Sequence, residues 1–171
     1  QVLAKLGVVA QQIAGGEIYP ALERGTIDAA EWVGPYDDEK LGFNKVAKFY
    51  YYPGFWEAGP QLSLVVNIKK WEELPKHYQA ALQAACAEAN VHMVAKYDAK
   101  NPDALRRLVG GGAQLRAFPK AVMEAAEKAS FELYEELSAK SAHWKRIYPG
   151  WKKFRDEQYL WFKVAEYGFD S

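Results

Sequence analysis

The sequence predicts an α/β fold with its strands early and a helical C-terminal third. Three observations carry this. Short β-forming runs alternate with helix signals over the first 118 residues. One long Ala-rich helical stretch separates two of those runs. From Pro119 onward every segment has helical spacing.

In chain order, residues 1–6 read as the end of a helix stopped by Gly7. VVAQQIA (8–14) has strand character. Gly15-Gly16 read as a turn, 17–24 as a short helix and Gly25 as its C′ residue. TIDAAEWV (26–33) is a second short strand, so the first 33 residues read strand–helix–strand, a parallel crossover unit. Pro35 starts a short helix through about Leu41. VAKFYYY (46–52) is rich in β-formers and is broken by Pro53-Gly54. QLSLVVNI (61–68), with its central LVV run, is the strongest strand candidate. Trp71 and Pro75 open a helix over 76–99; Asn101-Pro102 interrupts it, 104–109 continues it, and three glycines at 110–112 end it. AQLRAF (113–118) alternates as a strand does. One helix then covers about 119–140. Another is interrupted at Pro149-Gly150, restarts there, continues to about Tyr167 and stops at Gly168.

The composition narrows the function classes. Hydrophobic residues are 50% and charged residues 26%, as in an ordinary globular protein. Lys+Arg and Asp+Glu are both 22, so no basic excess points to nucleic acid or an anionic membrane. No apolar run approaches the roughly 18 residues of a membrane span. The lone Cys86 lies in an Ala-rich helical pattern and reads as a small core residue. Gln1 falls within an element already under way, which predicts a piece of a longer chain.

Most candidate chemistry is weak. His77, His92 and His143 share no metal-ligand spacing with acids, and Ser63 lies in a strand run instead of at a nucleophile elbow. GGEIY lacks a phosphate-binding fingerprint, and Glu17 would repel an anion. Tyr50, Tyr51 and Tyr52 would face alternate sides of a strand, as core and rim packing or as a pocket wall. Trp144, Tyr148, Trp151, Phe154, Trp161 and Phe162 form an aromatic stripe at roughly helical spacing. Such a stripe suits a core or a protein interface.

Two acid–aromatic clusters remain. Glu31-Trp32 ends a predicted strand, and Phe55-Trp56-Glu57 lies between Gly54 and Gly59. Strand-to-loop transitions are where open α/β sheets place ligands. Two carboxylates in an aromatic pocket repel each other, and a hard cation, Ca²⁺ or Na⁺, relieves that repulsion. On residues alone, a cation site and a pair of unrelated loop acids both stay open. The neighbouring Asp37, Asp38 and Glu39 read as the solvated first turn of a helix.

GGEIYPALERGTIDAAEWVGPYDDEKLGF, followed by YYYPGFWEAGPQLSLVVN, resembles the solute-binding subunit of TRAP (tripartite ATP-independent periplasmic) transporters. The likeness is strongest to the branch that binds 2-keto or 2-hydroxy monocarboxylates such as pyruvate and lactate. The resemblance implies a periplasmic-binding-protein-like, type II-like two-lobed fold, of which this chain is the later part. It implies a non-enzymatic periplasmic protein that delivers its ligand to TRAP membrane subunits. It implies a metal held by Glu31, the backbone carbonyl of Trp32 and Glu57, with 57 − 31 = 26 residues between the acids. The metal bridges to the substrate carboxylate and its 2-oxygen, and Trp32, Phe55 and Trp56 are expected to wall the small acid. A further glutamine for the metal and an arginine for the substrate carboxylate are expected upstream of residue 1.

The same resemblance divides the chain. Residues 1–33 are the remainder of the second lobe. Residues 34–118 are hinge strands and part of the first lobe, with the long helix. Residues 119–171 are C-terminal helices that serve as a dimerisation segment, predicting a homodimer through 144–167. Two other readings compete: an enzyme using Glu31 and Glu57 as an acid–base dyad on a sugar or acid, and a helical interaction module built on the aromatic C-terminal helices.

Overall fold

A computed structural model describes residues 1–57 and 59–169. It separates into two compact units, one of Gln12–Phe118 and one of Gln1–Gln11 with Pro119–Ser171.

In the Gln12–Phe118 unit, α2 (Gly15–Glu23) buries Ile18 and ends before Gly25, whose φ of 66° is the left-handed value a C′ glycine supplies. It follows a four-residue helix, α1 (Val2–Lys5), that belongs to the other unit. α3 (Pro35–Leu41) has Pro35 in its first turn and closes at Gly42, with φ 69°. α4 (Ile68–Glu73) is capped by Asn67, which accepts from the amides of Lys69 and Lys70. α5 (Lys76–Gly110) packs against α3, and Ala104 and Leu108 are buried near its C-terminal end. The strands β1 (Phe49–Tyr52) and β2 (Gln114–Ala117) pair in parallel, with Phe49 opposite Gln114 and Tyr52 opposite Ala117. α4 and α5 lie between them in the chain, the long crossover a parallel pair requires. The Gln114 amide donates to the Lys48 carbonyl and the Phe118 amide to the Tyr52 carbonyl, extending the ladder at both ends. The Tyr52–Pro53 peptide is cis.

Four expectations change. Residues 8–14, 26–33 and 61–68 are not strands, so no strand–helix–strand unit forms around α2. A strand exists only as one side of a ladder, and none of the three meets a partner among the described residues. Their apolar side chains are left open: Val9 is 87% and Val65 88% exposed. The second change is at Pro102 and Pro149, which interrupt neither helix. α5 runs unbroken through Pro102, and α7 (Ala142–Ala165) through Pro149. Each proline removes one backbone donor, and tertiary packing carries the remaining ladder. Third, Cys86 is exposed, because α5 buries residues mainly near its two ends, at Gln79, Ala104 and Leu108. Fourth, Gly15 and Gly16 begin α2 itself instead of turning ahead of it.

In the other unit, α6 (Lys120–Lys140) packs on α7 and on α1. Lys5 reaches Glu136 at 2.6 Å. Ala126 and Ala129 are buried. Tyr134 of α6 is the hub of an aromatic cluster, with ring centroids 5.8 Å from Trp144, 5.5 Å from Tyr148 and 5.7 Å from Trp151. Trp144 and Tyr148 of the predicted stripe thus pack inward, with Trp151, 44% exposed, at the edge of the cluster. The rest of α7 stays open, with Trp161 60% exposed and Phe154, Leu160 and Phe162 also exposed. No helix among the described residues is long and apolar enough to cross a membrane.

Candidate metal and substrate site

Glu31 and Trp32 occupy the connection from α2 to α3, and the start of α3 shapes it. Gly34, the residue before α3, has no side chain to cap the helix. Its first-turn amides find partners elsewhere: Asn101 of α5 accepts from the Tyr36 amide at 3.0 Å. Asp38 reaches back with Oδ1 to accept from the Gly34 amide at 3.2 Å and the Val33 amide at 3.3 Å. Its Oδ2 accepts from the Tyr50 hydroxyl of β1 at 2.5 Å.

The acid run therefore differs from the expected solvated turn. Asp38 is only 7% exposed. Asp37 accepts from the Tyr97 hydroxyl at 2.5 Å and pairs with Lys40 at 3.2 Å. Glu39 takes the Arg107 guanidinium in a two-point grip, 2.6 Å from Nε and 2.8 Å from Nη2. All three acids dock α3, two of them directly onto α5. Nothing in the sequence near them signals this: their partners are 12, 60 and 68 residues away. Tyr50 is likewise the inward member of the tyrosine triplet, while Tyr51 and Tyr52 are exposed.

The Glu31 carboxyl feels Trp56 and Glu57. Burial pushes the Glu31 carboxyl above the ordinary carboxylate range, the Trp56 side chain beside it pulls the other way, and the charges of Glu57 and Asp38 push it up again. Burial also lifts Asp38, against the stabilising bonds from Tyr50, Val33 and Gly34 and with a further push from Asp37. The Trp56 side chain and the Glu57 charge thus reach the Glu31 carboxyl from 25 and 26 residues further along the sequence. Among the described residues no three His, Cys, Asp or Glu side chains gather as a metal cluster. A cation here would draw on two carboxylates and backbone carbonyl oxygen, all hard donors.

The aromatic residues divide into two groups. Trp32 meets Phe43 edge-on, with centroids 6.4 Å apart, and its ring lies over the bare Cα of Gly15. It helps line a cavity of about 70 Å³ with Asp38, Phe43, Tyr50 and Leu108. Phe55 and Trp56 pack edge-to-face at 4.4 Å, and Phe118, just past β2, touches both at 5.4 and 6.5 Å. Phe118 also stacks on Tyr51 at 5.1 Å. Phe118 escaped the sequence reading, since a single aromatic at a strand end carries no local signal.

The family model for bacterial extracellular solute-binding proteins, family 7, matches residues 1–141. The chain belongs to this family. Family 7 proteins are solute-binding components of transport, and the fold is that of the TRAP solute-binding proteins. The monocarboxylate 2-oxoacid-binding periplasmic protein of Nostoc sp. (strain PCC 7120) is 52% identical over all 171 residues, which make up 47% of its length. A TRAP transporter solute-binding protein from Bordetella bronchiseptica RB50 is 60% identical, with a TM-score of 0.96 over 99% of this chain and 50% of its own. That structure is a dimer with calcium and picolinate in one active site. The TRAP protein from Colwellia psychrerythraea, with bound calcium and pyruvate, is 38% identical at a TM-score of 0.92, covering 98% of this chain and 52% of its own. That from Pseudoalteromonas atlantica T6c, with sodium and pyruvate, is 36% identical at 0.92, covering 98% and 51%. This family 7 chain spans about half the length of the relatives it matches.

Proposed function

We propose that the chain is part of a periplasmic solute-binding subunit of a TRAP transporter. It binds a small 2-keto or 2-hydroxy monocarboxylate, such as pyruvate or lactate, through Ca²⁺ or Na⁺ and delivers it to membrane subunits. The observation that carries this reading is that the Trp56 side chain and the Glu57 charge both reach the Glu31 carboxyl. Relatives 36–60% identical hold calcium or sodium with pyruvate or picolinate. Glu31 and Glu57 would contribute carboxylate oxygens and Trp32 its backbone carbonyl. When bound, the cation supplies the positive charge that lets an anionic substrate sit beside two carboxylates. Phe55 and Trp56, supported by Phe118, would wall the methyl end, with the exposed part of the Trp32 ring.

Calorimetric titration of the full-length protein with pyruvate and lactate tests this. Binding is expected to vanish with chelator and to weaken at least about tenfold for Glu57→Ala. Unchanged affinity in that variant would remove the metal bridge. The reading is also non-enzymatic, so the ligand should be recovered intact after incubation. A new product would move the assignment to a carboxylate-dyad enzyme.

The open half of α7 supports a homodimer in which the C-terminal helices of two copies cover each other's apolar stripe. Leu160, Trp161 and Val164 are the exposed apolar residues such a contact would bury.

A further inference from the structure

We infer that Asp38 is a positioning residue that aims the backbone carbonyl of Trp32 into the metal site; the inference rests on the metal-site reading above. Asp38 bonds the amides of Val33 and Gly34 through one oxygen and the Tyr50 hydroxyl through the other. Both carboxylate oxygens thus hold protein donors, and Asp38 is only 7% exposed.

The Val33 amide and the Trp32 carbonyl belong to one peptide group. That peptide is trans, and in a planar trans peptide the N–H and C=O point in opposite directions. Anchoring the N–H on the buried Asp38 therefore turns the Trp32 oxygen away from the interior. A charged acceptor on the N–H also polarises the amide and raises the electron density on that oxygen, which makes it a better donor to a cation. Outer partners of metal ligands work in this way, by fixing orientation and raising basicity.

The contact with Tyr50 adds a second constraint. Tyr50 lies on β1, and the chain passes from β1 through Phe55 and Trp56 to Glu57. One buried side chain thereby ties the Glu31-Trp32 segment to the strand that leads to the second acid. A helix cap alone would need only the Gly34 amide; the bonds to Val33 and Tyr50 exceed that role.

The test uses the full-length protein, Asp38→Asn and Tyr50→Phe, with calcium titrated by calorimetry and folding followed by thermal unfolding. Asp38→Asn is expected to weaken calcium binding about 10–100-fold, and Tyr50→Phe by less. Trp followed by Val occurs once in these 171 residues; with Trp carbonyl carbon and Val nitrogen labelled, the Trp32–Val33 peptide is the NMR signal that a Val33→Ile variant removes. Its amide proton should move upfield in Asp38→Asn. Wild-type calcium affinity in Asp38→Asn, with only a lower unfolding temperature, would overturn the inference. If Asp38→Asn does not fold, Tyr50→Phe with wild-type calcium affinity overturns it equally. Loss of binding in Glu57→Ala alongside normal binding in Asp38→Asn would sink this inference and leave the metal site intact. A wild-type protein that binds no calcium or sodium would sink both.

Discussion

The Trp32 indole lies directly against the α-carbon of Gly15: an ideal Cβ there would sit 2.5 Å from its Cη2 atom. No other glycine in the Gln12–Phe118 unit has so close a side-chain neighbour among the described residues. Gly15→Ala sets two effects against each other. Alanine in a helix gains up to about 1 kcal/mol over glycine. Forcing the indole aside costs about 1–3 kcal/mol. The overlap is with ring atoms held by Phe43, so the cost is expected to win. Urea denaturation should show a net loss of about 1 kcal/mol; a net gain would mean that the ring shifts freely.

Phe118 touches Phe55, Trp56 and Tyr51, so its removal should loosen the proposed substrate wall without touching an acid. Aromatic pairs contribute about 0.5–1.5 kcal/mol each beyond area burial. Phe118→Ala in the full-length protein is expected to weaken pyruvate binding up to about tenfold at saturating calcium. Calcium affinity measured without pyruvate should change little. Equal losses in both titrations would assign Phe118 to the fold alone.

The bond from Tyr97 to Asp37 predicts a pH dependence. Burial pushes the Asp37 carboxyl up, but the Tyr97 hydroxyl and Lys40 outweigh it, and it ends below its ordinary 3.8. A carboxylate lowered on folding adds stability above its unfolded value, and that stability is lost as the pH falls through the folded value. Tyr97→Phe should therefore cost about 1.5 kcal/mol at neutral pH. The gap from wild type should narrow as the pH falls below 3.8. A gap independent of pH, read from denaturant midpoints, would mean that the hydroxyl does not favour the anion.

Light scattering tests the dimer. The full-length protein should run as a dimer, and a version ending at Ala139 should run as a monomer. A truncated protein that still dimerises would place the interface outside residues 144–167.

Glu31, Trp32, Phe55, Trp56 and Glu57 stood out because acids beside aromatics at the ends of predicted strands fit neither a core nor a surface, although 26–33 forms no strand. Their grouping came from resemblance, since no period or spacing links position 31 to position 57. Asp38 was hidden by its own neighbourhood: acids at positions 37–39 after Pro35 look like ordinary first-turn residues. What separates Asp38 from a solvated acid is Tyr50, which comes into reach only after β1 has formed. Helix positions were legible where prolines and glycines marked them, as at Pro35 and Gly25, whereas Asn67, which caps α4, lay inside a run read as a strand. The apolar runs at 8–14 and 61–68 were misread for a different reason. Propensity reports what a segment would do beside a partner, and among the described residues those segments have none. The two prolines misled in the opposite direction, since one missing donor does not end a helix that packing holds.

The seven residues of α3 follow a glycine that cannot cap them; the Tyr36 amide is met by Asn101 from α5, and Asp38 turns back to the Gly34 amide just ahead of the helix. A helix this short does not survive alone in water. Its order is on loan from α5 through Tyr97, Asn101 and Arg107, three contacts spread over about three turns of one long helix. The Glu31-Trp32 loop inherits that debt. Any opening that lifts α3 from α5 would release the loop at the same moment, so the site and the α3–α5 seam should exchange their amide protons as one unit.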